Sequence, residues 1–362
     1  MTTPLAGIRV LDLSRLFGGA FATQLLAHLG ADVLKVEAPG FGDGMRHLAG
    51  GGFEAAHAAL NRGKRSLSLD LRHPQGPDVL RRLVAGTDVV VETHRPGSLD
   101  KLGVGPIAMR ATHARLVWCA ITGFGQDSPH ADAPGHDLTF LGHSGVLDRI
   151  GNEIPQMTLG VPFGALMGVS GILAALVARA ETGEGAFVDA SIVDATSWLL
   201  AENVARSAVE PDRGWGDVSS RYVYACADGR HVSVTASEPK SWAALCAALD
   251  VPDLADHRFG VDEPATIERL AAVFATKPAA EWVANPGFAG GVGPVNRPGD
   301  LLTDPHVLAR GGPTAGPIHI DGAAPTATTP APHLGAHTDA ALRDAGFGDD
   351  EIAALRAEAV VA

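Results

Sequence analysis

Aromatic side chains make up only 5% of the 362 residues, cysteine occurs three times, and the 28 lysines and arginines are outnumbered by 41 acidic residues. Each shortage excludes something. With so few rings, the core is expected to be aliphatic. Cys119, Cys226 and Cys246 lie far apart and form no Cys-x-x-Cys pair, which argues against a zinc cage or a disulfide framework and fits a reducing cytoplasm. A formal net charge of −13 does not suit a nucleic-acid or anionic-membrane binder, which needs basic surface to displace counterions. Met1 to Gly7 contains neither a basic nor an apolar signal region, so no secretory leader is expected. The longest apolar-rich stretch, Leu159 to Ala178, carries Pro162 and four glycines and reads as a buried helix with its entry loop, not a membrane span.

Aliphatic residues, glycine and proline are plentiful. At 46% hydrophobic and 19% charged, the chain is globular, and 44 glycines with 24 prolines imply many tight turns. Strand-like runs at Ile8–Leu13, Ala31–Glu37, Ser66–Leu71, Asp88–Glu92 and Leu116–Thr122 alternate with helical patterns at Phe21–Leu29 and Pro74–Ala85. This is the βαβ signature of a parallel sheet covered by helices. A long Ala/Leu/Gly helix is expected from Ala165 to about Glu181, and another from near Asp194 toward Val209. Arg213 to Ser220 reads as a linker. A hairpin follows, with strands at Tyr222–Cys226 and His231–Thr235, a turn at Asp228-Gly229, and helices near Lys240–Leu249 and Ala265–Phe274. The fold class expected is α/β: a large Rossmann-like domain with a mostly parallel sheet, from residues 1–212 and 313–362, plus a smaller α+β domain at 221–312. A last helix, Asp349 to Ala357, closes the chain.

Two segments invite a chemical reading. Four basic residues, Arg62, Lys64, Arg65 and Arg72, stand against the single acid Asp70 within 61–72, a local reversal of the overall charge. Arg95 follows the strand Asp88–Glu92 at its carboxyl end, where open α/β sheets bind ligands. Converging guanidinium and ammonium groups suit a polyphosphate, although a solvated charged face would read the same way. His136 precedes an apolar stretch and is placed near a helix start, where free N–H groups stabilise an anion. Imidazole suits proton transfer near neutral pH, but a surface histidine has the same local sequence.

In order along the chain, Pro4-Leu5-Ala6-Gly7-Ile8-Arg9-Val10-Leu11-Asp12-Leu13, Leu29–Glu37, Asn61-Arg62-Gly63-Lys64-Arg65-Ser66, Arg95-Pro96-Gly97, Thr122-Gly123-Phe124-Gly125-Gln126, Gly135-His136-Asp137, Asp304-Pro305-His306-Val307 and Leu334–Asp339 resemble the family III CoA-transferases, the CaiB/BaiF family. The Gly-His-Asp element and compact length resemble its α-methylacyl-CoA racemase branch. The resemblance implies an interlocked homodimer and coenzyme A carrying an acyl substrate, with no metal, nicotinamide or flavin. It puts Lys64, Arg65, Arg72 and Arg95 in the zone that holds the CoA nucleotide. It also implies acid/base chemistry at the α-carbon of a thioester, with His136 as base, Glu238 supporting it, and N–H donors near Asp137 holding the enolate oxygen.

At the position of the family's catalytic aspartate this sequence has Pro162. Proline can serve neither as the second base of a racemase nor as the nucleophile of a CoA-transferase. Asp148 and Glu153 are the nearest acids before it, and none lies between 154 and 180. Three readings follow: a single-base enzyme on acyl-CoA, a racemase or CoA-transferase whose acid has moved in space, and a catalytically silent acyl-CoA binder. An apolar acyl tail is expected from the residues around Leu159 to Leu166.

Overall fold

Six short strands pair side by side in parallel in the computed structural model, which describes residues 3–47, 53–210, 218–256, 263–288 and 291–362. They are β1 (Arg9–Asp12), β2 (Asp32–Glu37), β3 (Arg65–Ser68), β4 (Val89–Glu92), β5 (Val117–Thr122) and β6 (Phe187–Ser191), in the spatial order β3-β2-β1-β4-β5-β6. The order reverses between β1 and β4. Central strands of such a sheet are buried on both faces, and β4 and β5 accordingly read as unbroken apolar runs apart from their last residues. The edge strand β6 was not expected, because its Asp189 and Ala190 break that pattern.

Helices cover both faces. They are α1 (Leu16–His28), α2 (Phe53–Leu60), α3 (Gly76–Ala85), α4 (Pro106–Thr112), α5 (Asp137–Ser144), α6 (Val146–Arg149), α7 (Gly160–Thr182), α8 (Ile192–Leu199) and α9 (Ala201–Ser207). One core layer joins Leu26 of α1 and Val169 and Ile172 of α7 to Val10, Val89 and Ile121 of the sheet. On the opposite face, Leu80 and Leu83 of α3 meet Leu11, Leu67 and Trp118.

Two helix boundaries differ from expectation. The single helix expected over 194–209 is interrupted at Leu200, between α8 and α9. The long helix α7 begins at Gly160 instead of Ala165, since Pro162 falls in its first turn, where a missing N–H costs nothing. Nor is α7 buried all round: it is long and apolar enough to cross a membrane, with mean hydropathy 2.0, and about a third of its apolar window is buried.

The chain divides into two compact units, Met1–Val204 with Thr314–Ala362, and Ala205–Pro313. The linker expected at 213–220 falls mostly outside the described residues. In the second unit the expected hairpin is present, β7 (Arg221–Ala225) against β8 (His231–Thr235), extended by β9 (Val292–Pro294). Helices α10 (Pro239–Ala248), α11 (Glu263–Phe274), α12 (Ala279–Val283) and α13 (Pro305–Ala309) complete the unit. Here the expectation of an aliphatic core fails. Tyr224 stacks on Phe274 with centroids 4.8 Å apart, and Phe274 meets Trp282 edge-on at 5.3 Å, so several of the scarce rings gather in this small core. Returning to the first unit, α14 (Thr338–Asp344) and α15 (Asp349–Ala357) add Leu342, Ile352 and Leu355 to the core layer under α3.

Candidate active site

Ligands of open parallel sheets bind beyond the carboxyl ends of the strands, where the strand order reverses. Here that point lies between the loops after β1 and β4. The loops are tied together: the Arg15 N–H donates to Thr93 Oγ1 at 2.9 Å, and the Thr93 hydroxyl approaches the Arg15 carbonyl at 3.3 Å. Leu16, the first residue of α1, has a φ of +59°, a strained value for leucine, and its N–H is held by the Asp43 carboxylate at 3.1 Å. Arg15 and Arg95 both emerge here exposed. Arg72, past the end of β3, is exposed likewise. Arg15 was missed in the sequence, where it is a lone cation between a strand and a glycine pair; its signal is its position after β1.

Lys64 and Arg65 do not join this group. The Lys64 ammonium is buried and has four acceptors: Thr23 Oγ1 at 2.7 Å, Asn61 Oδ1 at 2.9 Å, and Asp12 Oδ2 and the Ala20 carbonyl at 3.3 Å. Burial pushes its pKa down to about 8, against the pull of Asp12. Arg65 opens β3 at the amino edge of the sheet, where it forks onto Asp32 at 2.8 and 2.9 Å and reaches Asp344 at 3.0 Å. Both were expected to touch phosphate, and both are occupied by internal partners instead.

Lys64 belongs to a buried ionic cluster beneath the carboxyl edge. Lys35 pairs with Asp43 at 2.9 Å and with Asp12 at 3.9 Å, and Glu37 holds Arg46 at 2.8 Å. Burial would raise the Asp12 pKa, but Lys35 and Lys64 outweigh it and hold the carboxyl below its usual value.

Glu92, the last residue of β4, has no such cations. It is 6% exposed and accepts the His94 N–H at 2.5 Å. Burial, with Asp100 and Asp189 adding repulsion, pushes it up to about 7. The folded protein therefore keeps this proton to higher pH than the unfolded chain does. The resulting stabilisation is complete below the unfolded pKa near 4.5 and is lost as pH rises through about 7. Between pH 5 and 8 the stability of Glu92→Gln relative to the wild type is expected to rise by up to about 3 kcal/mol in urea unfolding; parallel pH profiles would show that Glu92 does not titrate there.

His136 stands immediately before α5, in extended backbone, exposed and with no side-chain bond to the helix. The segment is placed by Phe140, whose ring fills the space a side chain would need at Gly123 and Gly135: a Cβ there would lie 2.3 and 2.5 Å from it. The first N–H groups of a helix, here those of Asp137, Leu138 and Thr139, have no intrahelical acceptor. The Asp137 side chain faces the other way along the chain. Its carboxylate accepts the Leu159 N–H at 2.9 Å and the Val161 N–H at 2.7 Å, so it caps the start of α7. Its side chain is thus occupied in holding the start of α7.

Glu238 lies in the second unit at the start of α10, exposed, where its carboxylate meets Ser241 Oγ at 3.3 Å. Asp148 is paired with Arg149, and Glu153 is exposed in the following loop. Among the described residues, no group of three or more His, Cys, Asp or Glu is placed to hold a metal ion.

Residues 5–338 match the family model described as CoA-transferase family III. The chain is 33% identical to the human alpha-methylacyl-CoA racemase over 99% of this chain and 97% of that protein. It is also 33% identical to the succinate–glutarate CoA-transferase of Agrobacterium fabrum, over 85% and 84% of the two chains. Among solved structures, a CAIB/BAIF family protein from Brucella suis superposes with a TM-score of 0.83 at 28% identity, covering 95% of this chain and all of that one.

Proposed function

The chain belongs to CoA-transferase family III, and on that premise we propose that it processes acyl-CoA thioesters by proton transfer at the α-carbon, with His136 as the single base. The observation that carries the reading is an exposed imidazole that makes no bond to the helix it precedes, beside the N–H groups that open α5 without an intrahelical acceptor. A ring nitrogen of His136 takes the α-proton. The C–H electron pair becomes the enolate double bond, and the charge moves to the thioester oxygen, where the Asp137 and Leu138 N–H groups oppose it. Returning the proton from the same ring restores the original configuration. Glu238 is assigned to support the imidazolium by resemblance alone.

CoA is the substrate's carrier in this reading, and the exposed cations Arg15, Arg95 and Arg72 fit its phosphates. A homodimer is part of the proposal. Leu166, Val177, Trp198 and Leu199 are 44–69% exposed on α7 and α8, an apolar surface of the kind a second copy covers.

With a 2-methylacyl-CoA in heavy water, the protein is expected to incorporate deuterium at the α-carbon with configuration retained. Racemisation accompanying exchange would reveal an acid on the opposite face and overturn the single-base reading. Binding without exchange would make the protein a silent acyl-CoA binder.

A further inference from the structure

Leucine rarely adopts a positive φ, because its Cβ then crowds a carbonyl oxygen. Leu16 has a φ of +59° at the carboxyl edge of the sheet, one residue after Arg15. Backbone strain of this kind persists only where the surroundings over-determine it. Three bonds to consecutive residues do so here. The Lys35 ammonium donates to the Ser14 carbonyl at 3.0 Å, the Arg15 N–H is held by Thr93, and the Asp43 carboxylate accepts the Leu16 N–H.

The two charged members of this grip are themselves fixed. Lys35 and Asp43 pair at 2.9 Å and are both buried. The Asp43 carboxylate also accepts the Met45 N–H at 2.9 Å, and the Asp43 N–H donates at 3.0 Å to Glu37, whose carboxylate is held by Arg46 and Ser66. Burial of leucine does not account for the strain, since Leu16 is 37% exposed. What the turn presents is Arg15, exposed and close to the loop after β4: burial, with Arg15 adding repulsion, lowers the His94 pKa.

We propose that Lys35 and Asp43 are positioning residues, which grip the backbone on both sides of Arg15 so that the strained turn at Leu16 aims the guanidinium at the phosphates of CoA. The inference rests on the reading that CoA binds at this edge of the sheet. It gives Lys35 and Asp43 no contact with the ligand; their effect passes through Arg15.

Calorimetric titration with free CoA tests it. Arg15→Ala is expected to weaken binding about 10- to 100-fold, the loss of a charge-assisted hydrogen bond. Asp43→Ala is expected to weaken it about 5- to 30-fold, the factor by which leucine disfavours the left-handed region, since only chains that keep the turn bind fully. Adding Leu16→Gly to Asp43→Ala should restore affinity to within about threefold of the wild type, because glycine adopts this φ freely; adding Leu16→Ala should not. In the Arg15→Ala background, Asp43→Ala should cost less than about twofold more. Additive losses, equal recovery with glycine and alanine, or no recovery with glycine would overturn the positioning role and leave the CoA reading intact. Normal binding by Arg15→Ala would overturn it as well. If Asp43→Ala does not fold, Leu16→Val, which places a branched side chain at the same exposed turn, is expected to weaken binding at least about fivefold, and undiminished affinity there would count against the proposal decisively. Failure of the wild type to bind free CoA would overturn the reading of the site together with the proposal.

Discussion

His136→Ala is expected to slow α-proton exchange by about 10²- to 10⁴-fold, the range a positioned general base supplies, while free CoA binds within about twofold of the wild type. The structure separates this effect from a folding defect. Histidine at the position before a helix can stabilise it only through a capping bond, and the His136 side chain makes none to α5. The ring is exposed, so its removal opens no core cavity. Unfolding free energy should therefore move by less than about 0.5 kcal/mol. Unchanged exchange in this variant would place the base elsewhere, and a large stability loss would give His136 a structural role instead.

The second large effect concerns stability. Asp12→Ala is expected to cost about 3–5 kcal/mol in urea unfolding, because it leaves buried cations without their shared counter-charge. The Asp12 carboxylate accepts the Ser14 N–H at 3.0 Å and the Thr23 hydroxyl at 2.7 Å, and its Oδ2 lies 3.3 Å from the Lys64 ammonium. Without it, Lys64 keeps only neutral acceptors and Lys35 keeps Asp43. The penalty should shrink as pH rises toward 8 and level off above it, because Asp12 raises the Lys64 pKa and without it the lysine sheds its proton below the wild-type value of about 8. The double variant Asp12→Ala with Lys64→Met should recover much of the loss, since the unpaired charge goes with the lysine. A loss below about 1 kcal/mol for Asp12→Ala would mean that the cluster contributes little to stability.

These two residues illustrate what the sequence discloses. The parallel sheet was legible because buried strands are near-continuous aliphatic runs separated by helical spacing, and His136 was marked by its place between a turn-rich segment and an apolar one. Partners distant along the chain were not legible. Lys64 looks like a phosphate ligand because it sits among cations, but its acceptor Asp12 lies 52 residues away, and Arg65 is held partly by Asp344, 279 residues away. Counting neighbouring charges cannot register such pairs. Arg15 escaped for the converse reason: its value comes from the reversal of strand order between β1 and β4, which three-dimensional pairing reveals. The start of α7 was misplaced because a proline was read as a break, although the first helical turn accepts one.

The Asp137 bonds have a mechanical consequence. One carboxylate belongs to the first residue of α5 and grips the backbone of the first turn of α7, so the short helix that carries the proposed base and the 23-residue helix that runs beneath the sheet begin at a shared rivet. A slip of α7 along its axis by one residue, about 1.5 Å, would either tear both bonds or drag His136 with it. In the proposed reaction, the distance between the imidazole and a bound α-carbon would therefore be set by the seating of a helix that is assigned no part in proton transfer.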